Sequence, residues 1–296
     1  MTARIIQLAI AAILVVDGRL LFVSPGPRLF ALSVTGQSRC TFSRTMQSAE
    51  SVKRIRETAT RMQQESHLLK QERDLQLWNT PRGQYWIISS APVLWDKFAL
   101  VLSEQQNGIY GSGEHFVHRG DVVMDCGADY GTFTRSALNA GAAIVVSIEP
   151  MPRKEICLRR TFEMEIRMGK VIIVPKGVWN KEDSLKLYDD SVVEHRSADG
   201  PVVPLTTIDK LVADLNLARV DFIKMDIEGA EKPALEGGRH TIQKYNPRLA
   251  IATEHLSDDA EKIPQVVRGI VPEYRTECGP CEYEDGHIRP QVLYFF

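Results

Sequence analysis

The stretch from Asp121 to Pro150, DVVMDCGADYGTFTRSALNAGAAIVVSIEP, constrains the fold more than any other part of this chain. Val122, Val123 and Met124 form a short apolar run ending in Asp125. Gly127 and Gly131 then bracket a tight turn, and Thr132 to Ala140 read as a helix. Ala142 to Ile148 is a second apolar, β-branched run that ends on Glu149. A strand-end carboxylate roughly 20 residues beyond such a turn is where α/β nucleotide folds bond a ribose diol. The stretch therefore predicts a ligand containing a nucleoside, with Asp125, Gly127, Ala128, Asp129, Gly131, Glu149 and Pro150 around it.

The spacing narrows the nucleoside. A dinucleotide fingerprint, G-x-G-x-x-G, uses its middle glycine to let a pyrophosphate approach backbone N–H groups at a helix N-terminus. Here Asp129 stands in that place, and a fixed negative charge repels a pyrophosphate. S-adenosylmethionine has no phosphate, carries a sulfonium and an ammonium, and tolerates acids such as Asp125 and Asp129. The plainer alternative is that Asp129 caps the helix of an ordinary strand-to-helix turn.

A second acidic strand end follows. Val220 to Met225 reads as a strand closing on Asp226, Glu228 to Glu231 opens a helix, and Leu249 to Thr253 is a strand closing on Glu254 and His255. Together with Asp121 to Pro150, the segments VDFIKMDIEGAE (Val220 to Glu231) and Leu249 to His255 resemble the FkbM-type S-adenosylmethionine-dependent methyltransferases. The resemblance covers roughly Glu114 to His255, although the family usually has asparagine where this chain has Asp129. It implies a Rossmann-like class I methyltransferase sheet, α/β and mostly parallel with an antiparallel last strand. It also implies S-adenosyl-L-methionine as cofactor and O-methylation of a small molecule or a sugar hydroxyl of a glycan. Glu114 stands where family members carry an acid, which makes it a candidate for the cofactor's methionine end.

The chemistry asked of such a site is an in-line displacement, helped mainly by holding donor and acceptor at near-attack distance. An alcohol acceptor must also lose a proton. His255 is the candidate general base, with Asp226, Glu228 and Glu254 beside it as the catalytic group. As hard oxygen ligands, Asp226 and Glu254 are also candidate ligands for Mg²⁺. Gly177 and Val178 follow the third buried run, Val171 to Val174, at the strand end where open α/β sheets place ligands, and join the cofactor set. Glu228 as a first-turn helix acid and Glu231 as a capping partner are the structural alternatives.

The remaining chain divides into an apolar N-terminal segment (1–41), an amphipathic helical stalk (42–80) and the methyltransferase domain (81–296), with 81–118 as its lead-in. Residues 5–23 are apolar around Asp17 and Arg19. They are a candidate membrane or signal anchor for an otherwise cytoplasmic catalytic domain, with a cleaved signal peptide and a buried terminal helix as the alternatives. From Phe42 to Leu77 there is neither Gly nor Pro, and apolar residues recur at three- and four-residue steps, so the pattern predicts one long helix that lies on the domain or dimerises. A net charge of −2 and no basic stretch with interleaved aromatics argue against a nucleic-acid partner. Five scattered cysteines do not suggest a disulfide framework. Cys278-Gly279-Pro280-Cys281 lies too late in the fold for a thioredoxin-like motif. Two other functions stay open: an inactive, membrane-tethered protein that kept the fold, and a nicotinamide-dependent oxidoreductase.

Overall fold

The computed structural model describes residues 25–34, 38–89, 92–189, 194–196, 200–284 and 287–296. The candidate anchor at 5–23 lies outside them. Among the described residues no helix is long and apolar enough to cross a membrane.

Two helices come first, α1 (Pro25–Val34) and α2 (Phe42–Glu65), the second capped by Thr41, whose hydroxyl accepts from the Arg44 N–H at 3.4 Å. The long helix expected through Leu77 stops at Glu65 instead. Ser66 turns extended, and an antiparallel sheet follows: β1 (His67–Glu72), β2 (Leu75–Thr80) and β3 (Gly83–Ile88). The periodicity misleads because Leu68 and Leu69, which would continue the apolar stripe, are exposed on an edge strand. The stripe that does pack ends at Met62. It meets Tyr85 and Ile87 of β3, and Phe98 and Leu102 of α3 (Pro92–Gln106), in one buried cluster that also takes in Tyr130 and Cys157. Residues 42–80 are therefore packed on the domain and do not form a free stalk.

The central sheet is assembled from β4 (Val122–Cys126), β5 (Ile144–Ile148) and β6 (Val171–Val174), with α4 (Thr132–Asn139), α5 (Pro152–Thr161) and α6 (Glu163–Arg167) between them. The helical run between β5 and β6 is broken at Phe162, which is fully buried. A second, four-stranded sheet is inserted next: β7 (Gly177–Val178), β8 (Asp183–Asp189), β9 (Glu194–Arg196) and β10 (Val202–Thr206). Thr207 caps α7 (Ile208–Asp214), accepting from the Lys210 N–H at 3.0 Å. The chain then returns to the central sheet with β11 (Phe222–Met225), α8 (Glu231–Gly237), α9 (Arg239–Tyr245), β12 (Arg248–Ala252) and α10 (Asp259–Ile270). It closes with β13 (Thr276–Cys278), the hairpin β14 (Cys281–Glu284) and β15 (His287–Pro290), and β16 (Val292–Phe295).

The seven strands lie in the order β13-β16-β12-β11-β4-β5-β6. β12, β11, β4, β5 and β6 are parallel, and β16 is antiparallel to β12. This is the Rossmann-like, mostly parallel sheet with an antiparallel last strand. Every residue of β4 and of β11 is buried, as expected for parallel strands covered on both faces. The chain runs from β4 outward through β5 and β6, then crosses to β11 and β12 on the other side. The strand order reverses between β4 and β11, and the crevice beyond their carboxyl ends is where such folds bind ligands.

The cysteines correct the sequence expectation. Cys40 and Cys281 form a disulfide across 241 residues of sequence, joining the start of α2 to the C-terminal hairpin. Cys278 is free, so the C-x-x-C pair is not bonded to itself.

Candidate active site

Five positive-φ residues shape the strand ends of the crevice: Gly127 (φ 79), Asp129 (φ 50), Gly131 (φ 84), Glu228 (φ 55) and Gly229 (φ 89). Two of the glycines are sterically required. A Cβ on Gly127 would sit 1.9 Å from the Asp226 carbonyl oxygen, and one on Gly131 would sit 2.2 Å from the Phe162 ring. The first lets the β4 turn touch the β11 turn. The second lets α4 start against α5 and its following residue.

A cavity of about 570 Å³ opens over these turns. Gly127, Ala128 and Asp129 line one side; Glu149, Pro150, Gly177 and Val178 line the next; Asp226 and Glu228 line the third. The remaining wall comes from α3 and the segment after it, through Val101, Glu104, Gln105 and Tyr110. Leu185, Leu187 and Leu205 of the inserted sheet close the apolar end beside Trp179.

Four N–H groups of the glycine turn already have acceptors. The N–H groups of Gly127 and Ala128 donate to the Ile148 carbonyl, that of Gly131 to the Ala128 carbonyl, and that of Asp129 to Glu149 Oε2 at 2.9 Å. A pyrophosphate would find these four donors already taken, so the argument against a dinucleotide rests on geometry as well as charge. Charge alone is the weaker part, because Lys154 Nζ lies 2.9 Å from Asp129 Oδ1 and offsets it. Glu149 is 2% exposed at the cavity wall, its other oxygen accepting the Met151 N–H at 2.9 Å.

Beneath the turn lies a buried ion network. Lys224 Nζ is 3.3 Å from Asp125 Oδ1 and donates to the Gly127 carbonyl at 2.6 Å. Burial works against this ammonium, but Asp125 and Asp226 outweigh it and raise the lysine's pKa. Asp125 also accepts from Thr134 Oγ1 at 2.7 Å and is 0% exposed. It supports the turn from below and does not line the cavity, so its expected cofactor contact is corrected to a positioning role. Asp226 accepts from Tyr110 Oη at 2.5 Å and faces His255 Nε2 at 3.3 Å and Lys224 Nζ at 3.9 Å. Burial would raise its pKa, yet Lys224, His255 and Tyr110 together hold it well below the usual carboxylate range.

His255 is boxed in by acids: Asp226 on Nε2, Glu231 on Nδ1 at 3.0 Å, and Glu228 at 3.7 Å. Burial disfavours its charged form, but the hydrogen bonds to Asp226 and Glu231 prevail and push its pKa up to about 11. It is an imidazolium at neutral pH, with both nitrogens occupied, and it does not line the cavity. The general-base assignment to His255 is therefore corrected to that of a buried cation clamping two turns. Glu231 completes the clamp by accepting the Ile227 N–H at 2.9 Å.

Two other expectations change. Glu114 sits exposed on a 3-10 turn (Gly113–His115) away from the cavity. Asp226 and Glu254 are not a fit for Mg²⁺, because Lys224, His255 and Tyr110 already occupy the places a divalent ion would need around Asp226. Among the described residues the single grouping with metal-like spacing is Glu231, His255 and Asp259, and there too the cations are side chains, His255 and Lys232. Glu254 stands half-buried next to His255, its pKa pushed up to about 7 by burial and by the charge of Asp226.

Sequence reasoning missed Glu104, Tyr110 and Lys224. Lys224 was visible as a charged residue inside an apolar strand run; Glu104 and Tyr110 carried no signal, lying in an ordinary amphipathic segment.

Residues 125–280 match the family described as the Methyltransferase FkbM domain. The chain belongs to that family. Among curated proteins it is similar to the 2-O-methyltransferase NoeI of Sinorhizobium fredii (strain NBRC 101917 / NGR234), 27% identical over 144 residues, which is 42% of this chain and 59% of NoeI. Among solved structures it resembles the methyltransferase FkbM of Methylobacillus flagellatus KT. That match has a TM-score of 0.52 and 17% identity and covers 86% of this chain and 62% of the other. The chain thus spans less than two thirds of the length of either relative, and the second likeness concerns the fold. The family segment contains both strand-end turns and the His255 clamp. Glu104 and Tyr110 precede it.

Proposed function

We propose that this protein transfers a methyl group from S-adenosylmethionine to a hydroxyl oxygen of a small molecule or sugar. One observation carries the reading: at the switch point of an FkbM-family sheet, the N–H groups of Gly127, Ala128, Asp129 and Gly131 are taken up within the fold and lost to a pyrophosphate, while Glu149 stands at the next strand end. That combination suits a nucleoside without phosphate and disfavours the nicotinamide reading. An oxygen acceptor is supported by the likeness to NoeI, a 2-O-methyltransferase.

The residues fit the cofactor in kind. Glu149 is a carboxylate for the ribose hydroxyls, Pro150 and Val178 offer apolar faces for the base, and the Gly127 to Asp129 turn borders the same space. S-adenosylmethionine supplies an electrophilic methyl on a positively charged sulfur. The chain's own work is to hold the acceptor in line with it, exclude water, and remove the acceptor's proton. Tyr110 and Asp226, joined by their hydrogen bond, form the wall against which an acceptor is oriented.

Titration calorimetry of the full chain with S-adenosylmethionine, S-adenosylhomocysteine and NADH tests this. The expected result is dissociation constants on the order of micromolar for the first two and no heat with NADH. Tight NADH binding with neither adenosyl nucleoside bound would overturn it.

A further inference from the structure

Among the described residues five acids line the cavity, and four are committed. Asp226 is held by Tyr110, His255 and Lys224; Glu149 by two backbone N–H groups; Asp129 by Lys154; and Glu228 lies 3.7 Å from His255. Glu104 is the exception. Among the described residues its carboxylate makes no hydrogen bond and no ion pair, and it borders the cavity from the last turn of α3. An uncommitted acid at a cavity wall can take a proton from a bound molecule without giving up a partner in the fold, which the other four cannot do.

We propose that Glu104 is the proton acceptor of the methyl transfer, in the place that His255 cannot fill. This rests on the methyltransferase reading above. In the step, the acceptor's O–H proton passes to a Glu104 oxygen as the acceptor oxygen forms its bond to the methyl carbon. The bond from that carbon to sulfur breaks, and its electron pair stays on sulfur, turning sulfonium into thioether. One negative and one positive charge are consumed together, so the balance closes without a metal or a further reactant.

The surroundings set Glu104 for this task. The charged and titratable groups facing it are Tyr110, Asp226, Lys224, Glu254 and Glu282. Burial first, then the repulsion of Glu254, Asp226 and Glu282, push its pKa up to about 8 against the pull of Lys224. The empty protein keeps Glu104 largely protonated at neutral pH. An opposite charge within about 4 to 6 Å lowers a carboxyl pKa by roughly 1 to 3 units, so arrival of a sulfonium ionises Glu104 and switches the base on.

Adenosylmethionine and adenosylhomocysteine carry the same groups at the amino-acid end and differ by the sulfonium charge, and Glu104→Gln subtracts whatever proton exchange the ligands' own ammonium groups contribute. Calorimetric titrations at pH 7.5, in two buffers of different ionisation enthalpy, count the protons released by each. With the full chain, S-adenosylmethionine should release on the order of half a proton more from Glu104 than S-adenosylhomocysteine does. In Glu104→Gln both should still bind, and that half proton should be missing from the difference. A difference between the two nucleosides that is the same in the wild type and in Glu104→Gln overturns the proposal. If the wild type binds neither nucleoside, the methyltransferase reading itself falls and takes this one with it.

Discussion

At the scale of single residues, Gly127 and His255 are fixed by different physics. Gly127 is held by contact: its φ of 79° and the 1.9 Å separation between a built Cβ and the Asp226 oxygen leave no room for a side chain. Gly127→Ala should cost about 1 to 3 kcal/mol of folding stability from backbone strain alone. It should also weaken S-adenosylmethionine binding at least tenfold by moving the Asp226 turn; urea unfolding and calorimetry read the two effects, and wild-type values in both would discard the contact. His255 is held by charge. With a folded pKa near 11 against an ordinary 6.5, the folded state binds the proton more tightly, so the contribution is complete below about pH 6.5 and is lost as pH rises toward 11. His255→Ala should therefore melt well below the wild type at pH 6, with the gap closing steadily at higher pH. A gap that widens with pH would mean that the imidazole is neutral in the fold. Glu104 has the same sign but a lower window, because it is the neutral form that the fold favours. Its raised pKa costs stability as pH climbs from about 4.5 through 8, so Glu104→Gln should melt higher than the wild type at pH 8.5 and equal it at pH 4. A variant less stable at both would show that the carboxylate has a structural partner.

At the scale of elements, the sequence announced what burial dictates and hid what packing decides. β4, β5, β6 and β11 were legible because a parallel strand covered on both faces must be an unbroken apolar run. The two turns were legible from Gly127, Gly131 and Gly229, and the convergence of Asp226 with His255 followed from β11 pairing with β12. The end of α2 was not, because β1 is solvent-exposed almost throughout and shows no alternation to set against the helical period. Nor was the protonation of His255 legible: Glu231 and Glu228 were each visible, but only the left-handed Glu228-Gly229 turn brings both onto one imidazole. Cysteine pairing depends wholly on the fold, since Cys40 and Cys281 meet through α2 and the β14 to β15 hairpin. A crosslink closing so long a loop typically stabilises by about 2 to 5 kcal/mol. Reduction, or Cys40→Ser, should lower unfolding free energy by that order while leaving nucleoside affinity nearly unchanged, because the bond lies away from the cavity. Loss of affinity in the folded, reduced protein would tie the hairpin to the site.

At the scale of the molecule, the question is whether the region before the family segment is an appendage or part of the enzyme. The contacts favour the second. Met62 of α2, Tyr85 of β3 and Phe98 of α3 share one buried cluster with Tyr130, inside the glycine turn, and Cys157 of α5. Outside that cluster Arg153 reaches Asp74 at 2.6 Å and Arg160 reaches Glu72 at 2.7 Å. These exposed pairs contribute little by themselves, roughly 0 to 1 kcal/mol each, whereas burying a side chain the size of Met62 is worth about 1.5 to 3 kcal/mol. The apolar cluster therefore decides the matter, and it fixes α3, which carries Glu104. A fragment beginning at Leu77 removes α1, α2, β1 and the first two residues of β2, exposing Phe98 and Tyr85 to water. It should melt many degrees below the full chain, and where it stays folded it should bind S-adenosylmethionine more weakly, because the wall bearing Glu104 and Tyr110 has lost its support. Thermal melts and calorimetry on the two proteins side by side make the comparison. Equal melting temperatures and equal affinities would mean that the catalytic unit is complete without residues 42–76, and that α3 is held in place by the central sheet alone.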